Sequence, residues 1–110
     1  MTTIRRTGRR VGGPVLHLRY RKTPDNLAET PGFPERRVAF LLGRGIAPAV
    51  RRNRLKRRLR ELYRTHKDWF PAGHDYLLNA APAAADLTWA ELLGHAERLC
   101  RRLKDDVAAA

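Results

Sequence analysis

The stretch 51–66, RRNRLKRRLRELYRTH, constrains this fold more than any other part of the chain. It carries eight Arg and Lys side chains against one acid, Glu61, yet Leu55, Leu59, Leu62 and His66 recur through it at spacings of four, three and four. At 3.6 residues per turn those positions share one face, so the spacing predicts an amphipathic helix with a narrow apolar stripe. Pro48 suits the first turn of that helix, where its missing N–H leaves no bond unmade. About five turns are predicted from there. Like charges at 54/58, 56/60 and 60/64 oppose the helix in isolation. It therefore requires a second layer to bury its leucines.

The rest of the chain supplies that layer. In PVLHLRYRK (14–22) Leu16, Leu18 and Tyr20 alternate with His17, Arg19 and Arg21, the period of a half-buried strand. RRVAFLLGR (36–44) is short and almost continuously apolar, which predicts a central strand covered on both faces. DYLLNAA (75–81) predicts another strand, entered through the turn PAGH, and Arg9–Val11 a short one. TPDNLAETPGFPE (23–35) is rich in Pro, Asp, Asn and Gly and predicts a loop. Thr88 and Glu91 have the spacing of a capping box. Behind them Trp89, Leu92, Leu93, Ala96, Cys100 and Leu103 predict a second amphipathic helix. The order strand, strand, helix, strand, helix makes this an α/β protein, an αβ sandwich of helices on a sheet. A length of 110 residues and 43% hydrophobic content suit one domain spanning the chain. Residues 1–7 are expected as a flexible basic N-terminus and 105–110 as a C-terminal tail.

Charge narrows the function. Twenty-three Lys and Arg against 11 Asp and Glu give a formal net charge of +12. A domain this basic repels itself when folded, which is the footprint of a polyanion-binding protein, nucleic acid above all. Residues 1–22 hold seven bases and no acid, and residues 51–67 hold nine against one. Two separate blocks predict two contact surfaces. No apolar run approaches a membrane span, and the Arg-rich start lacks the hydrophobic region of a signal peptide. A cytoplasmic protein with no membrane partner is expected. The lone Cys100 excludes a disulfide within the chain and any multi-cysteine zinc site.

On the predicted helix, Asn53, Arg57, Arg60 and Arg64 lie opposite the leucines with Lys56 beside them, while Arg51, Arg54 and Arg58 line one flank. Arginine forks match phosphate oxygens and stack on bases, and Asn offers both a donor and an acceptor. A merely solvated face would mix in more Glu.

AVRRNRLKRRLRE (49–61) resembles the arginine-asparagine-arginine motif of the bacterial ribonuclease P protein component. The strand before it, the PAGHDYLLNA segment and LTWAELLGHAERLCRRL follow in the order and spacing of that family, over roughly residues 8–104. The resemblance implies a mixed sheet of about four strands with two main helices and a left-handed parallel βαβ crossover. It also implies one protein joined to a large catalytic RNA, the assembly removing the 5′ leader of precursor tRNA with Mg²⁺ bound by the RNA. Arg52, Asn53, Arg54, Lys56, Arg57 and Arg60 carry over as RNA-contacting positions, and Arg44, Arg51 and Arg64 join them as basic neighbours.

The chain also departs from the family pattern. Arg58 stands where an aliphatic residue is usual, and GRGIAP before the helix keeps only Arg44 of the usual basic pair. Seven residues precede Gly8, fewer than the family's N-terminal helix with its phenylalanines occupies. The 5′ leader is expected on the sheet face of His17, Arg19 and Arg21, with Arg5, Arg6, Arg9 and Arg10 adding charge. Its binding is then more electrostatic than usual.

The protein is not expected to cut RNA by itself. His17, His66, His74 and His95 are scattered, and Asp75, Asp86, Asp105 and Asp106 form no evident carboxylate cluster for metal-assisted cleavage. GRGIAPA lacks the Lys-Ser/Thr of a phosphate-binding loop. A helix-turn-helix reader would need a helix where a strand is predicted, and a basic zipper would need heptads where WFPAG ends the helix. A ribosomal or other structural RNA-binding protein fits the charge and the element order as well as a processing subunit does.

Overall fold

The computed structural model describes residues 8–109. Strand β1 (Arg9–Val11) and strand β2 (Leu16–Lys22) lead into a short helix, α1 (Asp25–Ala28), and then strand β3 (Arg36–Leu42). Helix α2 (Ala49–Thr65), a 3-10 turn at Lys67–Trp69 and strand β4 (His74–Ala80) follow. A second 3-10 turn at Pro82–Asp86 precedes helix α3 (Trp89–Ala109).

The four strands form one mixed sheet in the order β1-β2-β4-β3. β2 is antiparallel to both β1 and β4, and β3 runs parallel to β4. The expected central strand is therefore misplaced: β3 is an edge, all seven of its residues half-buried, and β4 is the centre. An apolar run reports cover above and below a strand, not the number of strands beside it. The α2 crossover returns the chain between β2 and β3, so β4 gains two neighbours. Its Asp75, Tyr76, Leu77 and Leu78 are all buried.

Alternation in β2 holds as read: Leu16, Leu18 and Tyr20 are buried, and His17, Arg19 and Arg21 lie on the other face. The buried set meets Leu55, Leu59 and Leu62 of α2 and Leu92, Ala96, Leu99, Cys100 and Leu103 of α3 in one core. Full burial of a leucine contributes about 1.5–3 kcal/mol, so three from α2 outweigh several like-charge pairs of a few tenths each. Tyr63, Phe70 and Tyr76 close the far end with edge-on ring contacts at 5.3 and 5.4 Å.

Helix ends show how local signals fared. Thr88 and Glu91 form the expected reciprocal cap: Thr88 N donates to Glu91 Oε1 at 2.9 Å, and Glu91 N donates to Thr88 Oγ1 at 3.2 Å. α3 runs on to Ala109, so residues expected as a tail continue the helix. Its extra turn places Asp106 beside Tyr20 and Arg9. His66, expected on the apolar stripe of α2, instead follows the last helical residue and lies 4.1 Å from the Trp69 ring. The predicted loop at 23–35 contains α1.

Candidate nucleic-acid interface

α2 places its leucines on the sheet and so turns its charge outward. Asn53, Arg57, Arg60 and Arg64 are exposed on the side opposite the leucines, as the spacing requires. Among the described residues only Arg64 of these has an internal partner: its Nε and Nη2 donate to Glu61, at 3.0 and 2.5 Å. Asn53, Lys56, Arg57 and Arg60 make no side-chain hydrogen bond or ion pair with any described residue. Arg44 is exposed in the turn between β3 and α2, where Gly45 takes φ +87°. That left-handed conformation suits glycine alone.

The flanks of α2 are tied down. Arg52 Nη1 donates to the Gly43 carbonyl at 3.3 Å, anchoring the helix start to the end of β3. Gly43 has no room for a side chain, because a Cβ there would lie 2.8 Å from Pro82 Cδ. On the other flank Arg51 pairs with Asp86, and Arg58 Nη1 donates to the Leu87 carbonyl at 2.8 Å. Arg54 lies between them with no such partner among the described residues. Together they wall a groove of about 440 Å³ against the start of α3.

The second basic surface is the face of the sheet away from α2 and α3. Strand register places Arg10 beside Arg19, which is beside Leu77, and His17 beside Asn79. It also aligns Arg21, Asp75 and Arg37 across three strands. Asp75 is fully buried and accepts four hydrogen bonds: from Arg21 Nε at 3.1 Å, Thr23 Oγ1 at 3.2 Å, and Arg37 Nε and Nη2 at 2.8 and 2.5 Å. Burial alone pushes the Asp75 carboxyl up, but the hydrogen bonds from Arg37, Arg21 and Thr23 outweigh it and hold it below the usual range. Burial, aided by Arg10 and Arg19, holds His17 below the ordinary imidazole value.

Four of the expected leader residues, Arg10, His17, Arg19 and Arg21, thus share this face. Arg9 does not. It is opposite Tyr20 in the register, on the helix side, and its guanidinium bonds Asp106 at 3.1 and 3.3 Å. Neighbours in a strand point to opposite faces, so Arg9 and Arg10 could not both belong to one surface. Arg5, Arg6 and the rest of 1–7 lie outside the described residues. Sequence reading missed Arg37 and the clamp role of Asp75, because an apolar run hides the facing of β3 and register is set only in the sheet. Trp89, expected on the buried face of α3, is only half-buried and stands at the groove beside Arg54 and Arg58.

The sequence profile described as Ribonuclease P matches residues 2–104. The chain belongs to the ribonuclease P protein family. It is 38% identical over 104 residues to the ribonuclease P protein component of Streptomyces avermitilis, covering 93% of this chain and 83% of that one. The component from Acidothermus cellulolyticus is 38% identical over 100 residues, covering 91% and 78%. Among solved structures, the ribonuclease P protein of Thermotoga maritima superposes with a TM-score of 0.75 at 22% identity, over 92% of this chain and 88% of that one. The Staphylococcus aureus protein gives 0.77 at 20%, over 94% and 87%. At those identities the solved structures establish the fold, and the closer relatives establish the family.

The chain is accordingly a ribonuclease P protein subunit, works in tRNA processing and associates with the ribonuclease P RNA. No described helix is long and apolar enough to cross a membrane. Among the described residues, no three His, Cys, Asp or Glu side chains come together as a metal-holding group.

Proposed function

We propose that the outward side of α2 binds the RNA subunit and that the open sheet face holds the single-stranded 5′ leader of precursor tRNA. In this reading one protein joins one RNA in the cytoplasm, and the RNA, with its own Mg²⁺, carries out the hydrolysis. The observation that carries it is the row Asn53, Lys56, Arg57 and Arg60. Four polar side chains project from a rigid helix without internal partners among the described residues, so they are available to phosphates and ribose hydroxyls. Arg44, Arg51, Arg52, Arg54 and Arg64 border that row and extend the cation field along it.

The open face suits a single strand because the register places Arg10 beside Arg19 on it, a basic track for the strand's phosphates. His17 is the one ring contributed there by β2. Arg21 contributes less than Arg19, because Asp75 already engages its guanidinium. The test adds RNA-free protein to a bacterial ribonuclease P RNA and precursor tRNA at low Mg²⁺. Release of an intact 5′ leader is expected only when the RNA is present, and faster with the protein than without. Cleavage by RNA-free protein would overturn the division of labour.

A further inference from the structure

The groove between α2 and the start of α3 has a chemistry that neither the outward row nor the sheet face shares. Trp89 stands between two concavities, one of about 440 Å³ toward Asp86 and Leu87 and one of about 390 Å³ toward Glu61. Arg54 and Arg58 line both. Each volume falls within the roughly 300–1,000 Å³ common for small-molecule sites. Trp89 packs partly on the core and leaves the remainder of its ring in the groove. Among the described residues it stacks with no other ring.

Of the two arginines beside it, Arg58 differs from those of the outward row in being pre-positioned, while Arg54 has no partner among the described residues. The bond from Arg58 Nη1 to the Leu87 carbonyl fixes its guanidinium across the groove and leaves its remaining N–H groups to donate. Asp86 occupies Arg51 at one end of the groove, so the cations left beside Trp89 are Arg54, Arg58 and, toward Glu61, Arg57.

We propose that this groove binds one unpaired RNA nucleotide, its base stacked on Trp89 and its phosphate held by Arg54 and Arg58. The proposal rests on the reading that α2 meets RNA, and adds a base-binding position to what is otherwise a phosphate-reading surface. A stacked base is worth about 5- to 150-fold in affinity and, being uncharged, releases no counterions. Loss of the ring and loss of the arginine therefore leave different signatures.

The experiment uses the full chain with Trp69→Phe, so that Trp89 is the sole tryptophan. Its emission is titrated with the ribonuclease P RNA alone, with precursor tRNA alone, and with precursor tRNA added to the assembled holoenzyme. Quenching by the RNA subunit supports the site and assigns the nucleotide to that RNA. Quenching only when precursor tRNA is present supports the site and assigns it to the substrate. Emission unchanged in all three arms overturns it. In parallel, Trp89→Ala is expected to weaken binding about 5- to 150-fold with the salt slope unchanged, and Trp89→Phe to recover most of the loss. Arg58→Leu is expected to lower the salt slope by about 0.7–0.9. Folded Trp89→Ala protein that binds with wild-type affinity also overturns the site. Should Trp89→Ala not fold, the emission titration on the intact ring still decides. Stimulation of leader release by the wild-type protein separates the two levels: its absence defeats the RNA-binding reading, whereas its presence with null Trp89 results defeats the nucleotide site alone.

Discussion

The outward side of α2 and the open face of the sheet are both rich in arginine, yet they hold that charge in different ways. On α2, Arg57, Arg60 and Lys56 have no carboxylate partner among the described residues, and the one acid of the helix, Glu61, is occupied by Arg64. On the sheet, a fully buried carboxylate draws two of the arginines together: Arg21 from β2 and Arg37 from β3 both close on Asp75 of β4. The first surface leaves most of its positive charge without a counter-charge among the described residues, and the second uses part of it to tie three strands to one another. Counting arginines would rank the two alike. What distinguishes them is where the counter-charge sits.

Removing the internal counter-charge is the strongest way to break that contrast. Asp75→Ala leaves Arg21 and Arg37 facing each other and Thr23 without its acceptor. We expect a loss of about 3 kcal/mol, at the low end for a broken buried pair because the arginines keep some solvent, read as a lowered midpoint in urea unfolding. The same pair carries a pH signature. Asp75 has its folded pKa below its unfolded one, so its contribution is complete above the unfolded value and is lost as pH falls through the folded value. Acid unfolding of the wild type should show that loss, and Asp75→Asn should flatten it. A wild-type midpoint in Asp75→Ala would show that the clamp is not structural.

The second effect in size is on the other surface. Arg57→Ala combined with Arg60→Ala should leave the unfolding midpoint unchanged, since neither side chain has a partner among the described residues. RNA-subunit affinity should fall by roughly 100-fold, about tenfold for each charged contact, and the salt slope by about 1.4–1.8. Filter binding over a range of salt concentrations measures both. An unchanged slope would remove the outward row from the RNA interface.

A sharper comparison lies within the sheet face itself. Arg19→Ala should lower leader affinity and its salt slope by about 0.7, the value for one single-strand phosphate contact, with stability unchanged. Arg21→Ala should do the reverse, costing about 1 kcal/mol of stability and little leader affinity. Leader-length dependence of substrate binding, measured beside thermal melts, separates the two. Equal effects would mean that Asp75 does not withhold Arg21.

The smallest expected effect concerns His17. Its folded pKa is lowered by burial and by Arg10 and Arg19, so the ring is neutral at pH 7 and protonation favours the unfolded chain. Its stability contribution is present above the unfolded value near 6.5 and is lost as pH falls through the folded one. Leader binding should therefore be flat between pH 8 and 7 in both the wild type and His17→Ala. A wild-type rise in affinity across that range, absent from the variant, would show a charged His17 on the leader face.

Helices and most strands were legible in the sequence because their signals are local. The leucine spacing of α2, the alternation of β2 and the Thr88–Glu91 box each depend on residues within a few positions of one another, and each was realised where it was read. The motif at 51–61 was legible for the same reason. Once Leu55, Leu59 and Leu62 face the core, helical geometry sends Asn53, Arg57 and Arg60 outward whatever the rest of the chain does. Tertiary structure alone decided which strand is central, because hydrogen-bond neighbours in a sheet leave no trace in the hydropathy of a single run. It decided that Arg9 turns to Asp106 on α3 while Arg10 joins the open face, and that residues 105–109 extend a helix. It decided, too, that Arg21 and Arg37 share one carboxylate 54 and 38 positions away. Charge is written in the sequence, but its availability is set by groups that meet only when the sheet closes, since an ion pair depends on distance in space and not along the chain.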